Sequence, residues 1–335
     1  MTPAKKRYQN IQILRIAACF GTFLVHFGQR IELGGMLRKA TDFGAYGVYM
    51  FFLISGFVAF FSVDKGQNDF SVKHYFKGRA VRILPIYYLI IFYNFILHTF
   101  VLSDVPVDTF GGGRYQGPGW FRYILFLNIL IPYDNDFWGN LGATWTIQIF
   151  VLFYILVPLG RKFINNTKTA IISWLIIYVL GILNIPLIST QALDNLHFLF
   201  LGVVLYFCVK ESKETIFALA AIIYLGLEGV VCAEWRMAVV IILFSLLILC
   251  SMGIHIKNKT VRKVIDKLDE YSYAVYLVHA VFIEWVDRYK AYTIDTDWRI
   301  GAIAIAIIGT TAGCILVHEF FEKPIQKLLK NKSKN

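Results

Sequence analysis

Charged residues are scarce in this sequence of 335 residues, since Asp, Glu, Lys and Arg together make up 16% of it. Soluble domains average about 25% charged residues. Apolar residues make up 57% of the chain, and they occur in runs such as 237–253 and 302–317 that contain no charge. This composition excludes an ordinary soluble domain and predicts that most of the chain lies in a membrane.

Polar and apolar residues do not alternate within these runs, as they would in the strands of a membrane barrel. Helices of about 17–25 apolar residues match the ~30 Å hydrocarbon core and satisfy their own backbone hydrogen bonds there. The sequence therefore predicts an all-α, polytopic membrane protein of about ten transmembrane helices in a single domain, 1–335. The predicted spans are 11–29, 43–62, 83–103, 142–160, 170–188, 195–209, 215–232, 236–253, 273–287 and 299–320.

Paired cysteine spacings and metal-ligand histidine spacings are also absent. The five cysteines show no spacing typical of a disulfide framework or a metal site. No His-x-x-x-His pattern occurs, so zinc is not expected. We predict no metal and no bound cofactor.

The net charge of +11 does not come from one basic patch. If each of the ten predicted spans crosses the membrane once, most of the 33 Lys and Arg residues lie on the same side of the membrane as the N-terminus. Because cytoplasmic loops are rich in Lys and Arg, both termini are predicted to be cytoplasmic. This distribution orients the protein and gives no reason to expect a nucleic-acid partner.

The apolar segment 119–132 is too short for an ordinary span, and a crossing there would invert every later loop. Pro118, Trp120 and Tyr133 at its ends are typical of a membrane interface. We predict that 119–132 is an interfacial or re-entrant segment on the outer side.

Arg15 and His26 are ionisable residues within the first predicted span, where such groups are candidates for function. They are eleven residues apart, so a helix places them on one face and about 16 Å apart along its axis. Arg15, near the cytoplasm, suits an anionic donor, and His26, deeper in the membrane, suits proton transfer. The alternative of equal weight is that Arg15 reaches lipid phosphates and His26 hydrogen-bonds to a neighbouring helix.

Arg79 and Arg82 precede the third predicted span on the cytoplasmic side and fall on one side of a helix start. Guanidinium groups pair well with phosphate oxygens such as those of coenzyme A. The alternative is an ordinary positive-inside anchor, which charge alone favours.

Six short motifs occur in order along the chain. They are Arg15 with His26, the segment 51–57 (Phe-Phe-Leu-Ile-Ser-Gly-Phe), Arg79 with Arg82 and Pro85, Trp145-Thr146-Ile147, the segment 271–279 (Tyr-Ser-Tyr-Ala-Val-Tyr-Leu-Val-His), and Glu322-Lys323-Pro324. Through these motifs, residues 8–326 resemble the acyltransferase-3 family of integral-membrane acyltransferases.

The resemblance implies transfer of an acyl group, commonly acetyl from acetyl-CoA as a cytoplasmic co-substrate, to a hydroxyl of an envelope or exported glycan. It implies a multi-pass protein of the inner cell membrane. The implied partners are acyl-CoA, membrane lipids and a carbohydrate acceptor, lipid-linked or not, and a homo-oligomer stays open.

On the same basis His26 is the predicted general base, and the predicted donor-binding residues are Arg15, Arg79 and Arg82. Candidates for an oxyanion or pocket role are Ser55, Gly56, Trp145, Gln148, Tyr276 and His279. For Ser55 and Gly56, close helix packing is an equal alternative. Glu322 is a candidate brace at the cytoplasmic mouth.

Two positions depart from the family pattern. The family has Asp three residues before the Arg, where this chain has Gln12, and Glu five residues after the Trp, where it has Phe150. These changes put in doubt a mechanism that needs an acidic partner at either position. They keep open an inactive member that serves as a scaffold in glycan assembly. A transporter of lipid-linked sugars is the other alternative, although the sequence shows no matched halves.

Overall fold

The computed structural model describes residues 10–64, 70–97, 100, 120–126, 144–183, 190–232, 234–252, 256–293 and 298–331. Almost all of these residues are helical, and none of them forms a β-strand. The predicted all-α class is confirmed.

The helices are α1 Ile11–Arg30, α2 Gly35–Asp42, α3 Gly47–Asp64, α4 Val72–Ile96, α5 Trp120–Leu125, α6 Trp145–Gly160, α7 Thr167–Ile182, α8 Thr190–Lys210, α9 Glu214–Gly226, α10 Trp235–Met252, α11 Lys259–Tyr292, α12 Trp298–Ala304, α13 Thr310–Leu316 and α14 Lys323–Asn331. Wider π-helical turns follow α9, α12 and α13 directly, at Leu227–Val231, Ile305–Gly309 and Val317–Glu322. The last three helices therefore form one continuous helical stretch.

Six helical stretches among the described residues are long and apolar enough to cross a membrane: Ile11–Arg30, Gly35–Val63, Val72–Ile96, Ala192–Lys210, Trp235–Met252 and Trp298–Leu329. Three shorter apolar helices are α6, α7 and Ile216–Gly229. Ile300, Ile308 and Phe320 on the last stretch are 72%, 66% and 75% exposed, as side chains that face lipid would be. The chain is a polytopic membrane protein, and the number of ten spans stays a prediction.

Two helices begin well before the spans predicted from apolarity. Helix α4 begins at Val72 instead of 83, and α11 begins at Lys259 instead of 273. Charged residues end an apolar segment but do not end a helix, because Lys, Arg and Glu are good helix formers. The sequence had suggested that Arg79 and Arg82 lie at a helix start. In the structure they lie within α4, because this helix begins at Val72.

The described chain folds as two compact units that are interleaved in sequence. The first unit comprises Met1–Ala18, Tyr46–Val72 and Ile149–Asp269, and the second comprises Cys19–Ala45, Lys73–Gln148 and Glu270–Asn335. The assignment of 1–335 to one domain stays a prediction.

In the first unit, α3 packs directly on α8 through two glycines. A Cβ atom on Gly56 would lie 1.9 Å from the carbonyl oxygen of Leu199, and one on Gly202 would lie 2.2 Å from that of Leu53. The two backbones are therefore in contact, which is how small residues favour helix association in membranes.

In the second unit, α1 and α11 lie side by side and run parallel. The Cys19 thiol donates to the Ser272 carbonyl at 3.2 Å, and Arg30 pairs with Asp287 at 3.0 Å, so residue numbers rise together along both helices. In the predicted order, these helices are the first and ninth spans, which cross in the same direction. The re-entrant placement of 119–132 stays a prediction.

Only 120–126 of the predicted re-entrant segment are described, as α5 followed by Phe126 with a φ of 55°. The Tyr87 hydroxyl donates to the carbonyl of Tyr123 at 2.6 Å, and the Tyr88 hydroxyl donates to that of Ile124 at 3.1 Å. Carbonyls at a helix end need such partners. A helix of six residues rises only about 9 Å, so this part alone does not cross the membrane.

Candidate functional site

Arg15 is held by an acidic residue that the sequence did not single out. Its Nε lies 2.6 Å from Oδ1 of Asp269, and its Nη2 lies 2.5 Å from Oδ2. The two side chains are only 19% and 10% exposed. This two-pronged, charge-assisted arrangement fixes the guanidinium plane and offsets its charge.

Gln12 belongs to the same network. Its Nε2 donates to Oδ2 of Asp269 at 2.9 Å, and its Oε1 accepts from Arg262. Arg15 therefore has a carboxylate partner on α11, although α1 carries Gln12 where the family has Asp. The effect of Gln12 on activity stays a prediction.

Phe150, the second departure from the family pattern, packs in an aromatic group of the first unit. Its ring lies 5.2 Å from that of Phe52 and 6.3 Å from that of Tyr154 between centroids. These contacts bring no acid in place of the missing Glu.

His26 stacks on His279 in the second unit. The ring centroids are 5.5 Å apart, and the ring planes are 22° apart. His26 is half-buried, whereas His279 is 1% exposed. The sequence predicted both residues as site candidates, and the structure places them together.

Hydrogen bonding orients the His279 ring. Its Nδ1 lies 3.0 Å from the carbonyl oxygen of Val275, and because a carbonyl only accepts, Nδ1 carries the proton. Its Nε2 is buried and has no hydrogen-bond partner in the described structure. The neutral ring therefore presents an unprotonated nitrogen away from the helix backbone.

Polar side chains of α4 and α6 lie in the same unit. The Tyr276 and Thr146 hydroxyls are 2.8 Å apart and buried, and the Tyr276 ring lies 6.0 Å from that of His279. Gln148 is buried beside the Tyr87 hydroxyl, and Trp145 is half-buried. Tyr276 thus joins the histidine pair, and Thr146 is a neighbour that the sequence did not nominate.

Arg79 and Arg82 lie on α4 in the second unit. Arg82 is exposed and Arg79 is half-buried, with its guanidinium 5.3 Å from the centre of the Tyr75 ring. The Tyr273 hydroxyl donates to the carbonyl of Ile83 at 2.8 Å, which fixes this part of α4 against α11. Arg82 is thus at the surface of the described structure, and Arg79 is partly covered; their role in donor binding stays a prediction.

Glu322 is buried within an internal network at the last π-helical turn. Its Oε2 lies 2.6 Å from Nδ1 of His318, and its Oε1 accepts from Gln326 at 2.8 Å. His318 Nε2 also lies 3.2 Å from a carboxylate oxygen of Glu270. These contacts hold the Glu322 side chain against residues of its own helical stretch. Its role as a brace stays a prediction.

Ser55 and Gly56 lie in the first unit, in the middle of α3. The Gly56 N–H is inside a regular helix and donates to a carbonyl one turn earlier, and the glycine brings α3 against Leu199. Close packing therefore accounts for Gly56. A role for Ser55 at an oxyanion stays a prediction.

The candidates thus fall into two groups. Three of the candidates belong to the first unit, namely Arg15, Ser55 and Gly56. The others belong to the second unit: His26, Arg79, Arg82, Trp145, Gln148, Tyr276, His279 and Glu322. Asp269 escaped notice because it is 254 residues from Arg15, and its only local signal is that it precedes the 271–279 motif.

Comparison with known proteins agrees with the motifs. A family model described as "Acyltransferase domain", that of acyltransferase-3, matches residues 8–319. The chain is 22% identical over 375 aligned residues to "Acyltransferase MdmB" of Streptomyces mycarofaciens, with 98% of this chain and 94% of that protein covered. No solved structure matches the chain. The chain therefore belongs to the acyltransferase-3 family of membrane acyltransferases, and acyl transfer is its class of activity.

Proposed function

We propose that this protein transfers an acetyl group from acetyl-CoA to a hydroxyl of an envelope or exported glycan, with the donor arriving from the cytoplasm at the inner cell membrane. The observation that carries the proposal is the stacked pair of His26 and His279 in a chain of the acyltransferase class. Acyl transfer to a hydroxyl requires a group that takes the hydroxyl proton, and histidine is the side chain best suited to this near neutral pH.

The donor is proposed to bind through its phosphates. Arg79 and Arg82 on α4 offer two guanidinium groups of the kind that pair with phosphate oxygens. Arg15 already holds Asp269 through two hydrogen bonds, so a phosphate there has to compete with a carboxylate. Arg79 and Arg82 are the main proposed contacts because Arg82 is exposed, and Arg15 is proposed as a third contact.

In the proposed reaction the acceptor oxygen attacks the thioester carbonyl. The new C–O bond forms, the C–S bond breaks, and coenzyme A leaves as its thiolate, whose protonation to the thiol balances the proton that His26 removes. His26 takes the hydroxyl proton as general base, a role typically worth about 10²–10⁴-fold in rate. The glycan acceptor rests on the family's common use of such acceptors, and acetyl is proposed over longer acyl groups on the same ground.

Release of free coenzyme A from acetyl-CoA by the purified protein in lipid tests the proposal. The variants are His26→Ala and, as a matched control, His74→Ala, which removes an exposed histidine of α4. We expect wild type and His74→Ala to release coenzyme A at similar rates and His26→Ala to be slower by about 10²-fold or more. Equal rates in all three would remove His26 from catalysis.

A panel of acyl-CoA donors and hydroxylated acceptors then tests specificity. Faster release when a glycan is added, with the acetyl group recovered on that glycan, would support the acceptor class. Donor binding without turnover for any acceptor would instead favour a catalytically inactive scaffold.

A further inference from the structure

Two histidines within 5.5 Å are more than a single general base requires. Little water reaches the pair: the Phe23 ring lies edge-on to His279 at 6.3 Å, and His279 is 1% exposed. Like charges so close together in a poorly hydrated site cannot both persist, because each imidazolium opposes the other and both lose hydration. The pair therefore holds at most one excess proton.

The surroundings of the two imidazole rings differ in how well they stabilise the protonated form. His279 donates from Nδ1 to the Val275 carbonyl, and a carbonyl partner favours the charged ring. Arg30, one turn after His26, opposes a further positive charge on the His26 ring, whereas a hydrogen bond with the Gln29 side chain supports one. Arg30 is in turn paired with Asp287. A single excess proton is thus better placed on His279 than on His26.

We propose that His279 is the second catalytic residue, a general acid whose Nε2–H protonates the departing sulfur while neutral His26 removes the acceptor proton. This assignment rests on the proposed function. The orphaned Nε2 of His279 is the atom that touches the leaving group. After each turnover the proton taken by His26 passes to His279, either directly or through solvent, and the pair returns to one proton.

The balance of the step is complete without any further reactant. The acceptor hydroxyl loses one proton to His26, the C–O bond replaces the C–S bond, and the sulfur gains one proton from His279. The products are the ester and the free thiol of coenzyme A, and the pair still carries one proton. Enzymes commonly use one protonated group as general acid and one unprotonated group as general base at the same pH.

The pH dependence of coenzyme A release distinguishes this role from a structural one. A pair that works only when singly protonated gives a bell-shaped rate profile, whose two limbs belong to the pair. In His279→Gln we expect the rate to fall by about 10²-fold at the optimum. We also expect its alkaline limb to vanish, so that the rate rises with pH to a plateau. His26→Gln should lose the acidic limb instead.

The other titratable groups near the pair are Tyr276, Cys19 and Arg30. His74→Ala is the matched control, because it removes an exposed histidine of α4 that lies outside the pair, and it should keep both limbs. Where His279→Gln fails to fold by thermal unfolding, His279→Ala with added imidazole replaces it, and restored release with a restored alkaline limb supports the proposal.

A His279→Gln profile that keeps both limbs, or imidazole that restores none of the rate in folded His279→Ala, would overturn the assignment. Either result leaves the proposed function standing as long as the wild type releases coenzyme A. A wild type that transfers no acyl group to any acceptor would overturn both.

Discussion

Replacing Asp269 with asparagine tests how strongly the ion pair to Arg15 is coupled to stability and donor binding. The substitution keeps the shape and one acceptor oxygen but removes the charge that the Arg15 fork contacts at 2.6 and 2.5 Å. Hydrogen bonds to charged groups are worth about 1.5–3 kcal/mol when desolvated. The side chains are 19% and 10% exposed, so solvent screening reduces the figure, and we expect a coupling energy of about 1–2 kcal/mol.

A double-mutant cycle with Arg15→Gln isolates that coupling energy. Thermal unfolding of the purified protein in detergent gives the stability of wild type, both single variants and the double variant. Asp269→Asn should unfold several degrees below wild type, and the double variant should be more stable than the sum of the single losses predicts. Acetyl-CoA binding measured on the same four proteins shows whether Arg15 needs its partner to meet the donor.

An isosteric exchange sharpens the test. Gln12 donates to Asp269, so Gln12→Glu combined with Asp269→Asn moves the acid onto α1, at the position where the family has Asp. We expect the exchange to recover part of the stability that Asp269→Asn loses. If Asp269→Asn alone matches wild type in unfolding temperature and in donor binding, the ion pair does not position Arg15 and the reasoning fails.

Two further substitutions, each compared with a control substitution, test helix packing and helix capping in the first unit. Gly56→Ala puts a methyl group 1.9 Å from a main-chain carbonyl oxygen of α8 and should cost about 1–3 kcal/mol. Gly78→Ala, with nothing within 4 Å, should gain up to about 1 kcal/mol of helix propensity. Equal unfolding temperatures for this pair would contradict the close approach of α3 and α8. Glu211→Ala removes the carboxylate that accepts the Thr167 N–H at 3.2 Å and its hydroxyl at 3.0 Å at the start of α7, and should cost about 1 kcal/mol. The exposed Lys168→Ala beside it should change stability by less than about 0.5 kcal/mol, and a matching loss there would refute the capping role.

Local pattern was enough to predict the helices, because the need to satisfy backbone groups in lipid leaves few alternatives. Apolarity located the part of each helix in lipid, but it missed the extensions of α4 and α11, which continue in water on good helix-forming residues. The helical spacing of Arg15 and His26 also followed from the sequence, since both lie on the single helix α1.

Pairings across the chain could not be predicted in the same way. Periodicity says which face of a helix a residue occupies, but it does not say which helix covers that face. His26 and His279 were each nominated, yet their stacking depends on the parallel packing of α1 and α11. Asp269 is the clearest case, because the family pattern drew attention to the missing acid at Gln12, whereas the acid that contacts Arg15 lies on another helix.

The parallel pairing of α1 with α11 also bears on how the protein is made. Cys19 and Ser272, which bond across the two helices, are 253 residues apart in the chain. Synthesis proceeds at about 5–20 residues per second, so α1 waits roughly 10–50 s in the membrane before α11 exists. Throughout that interval lipid, insertion machinery or another helix has to cover the face that carries His26. The histidine pair is therefore among the last contacts to form, and a chain that stops short of α11 will insert its first helices without ever assembling the site.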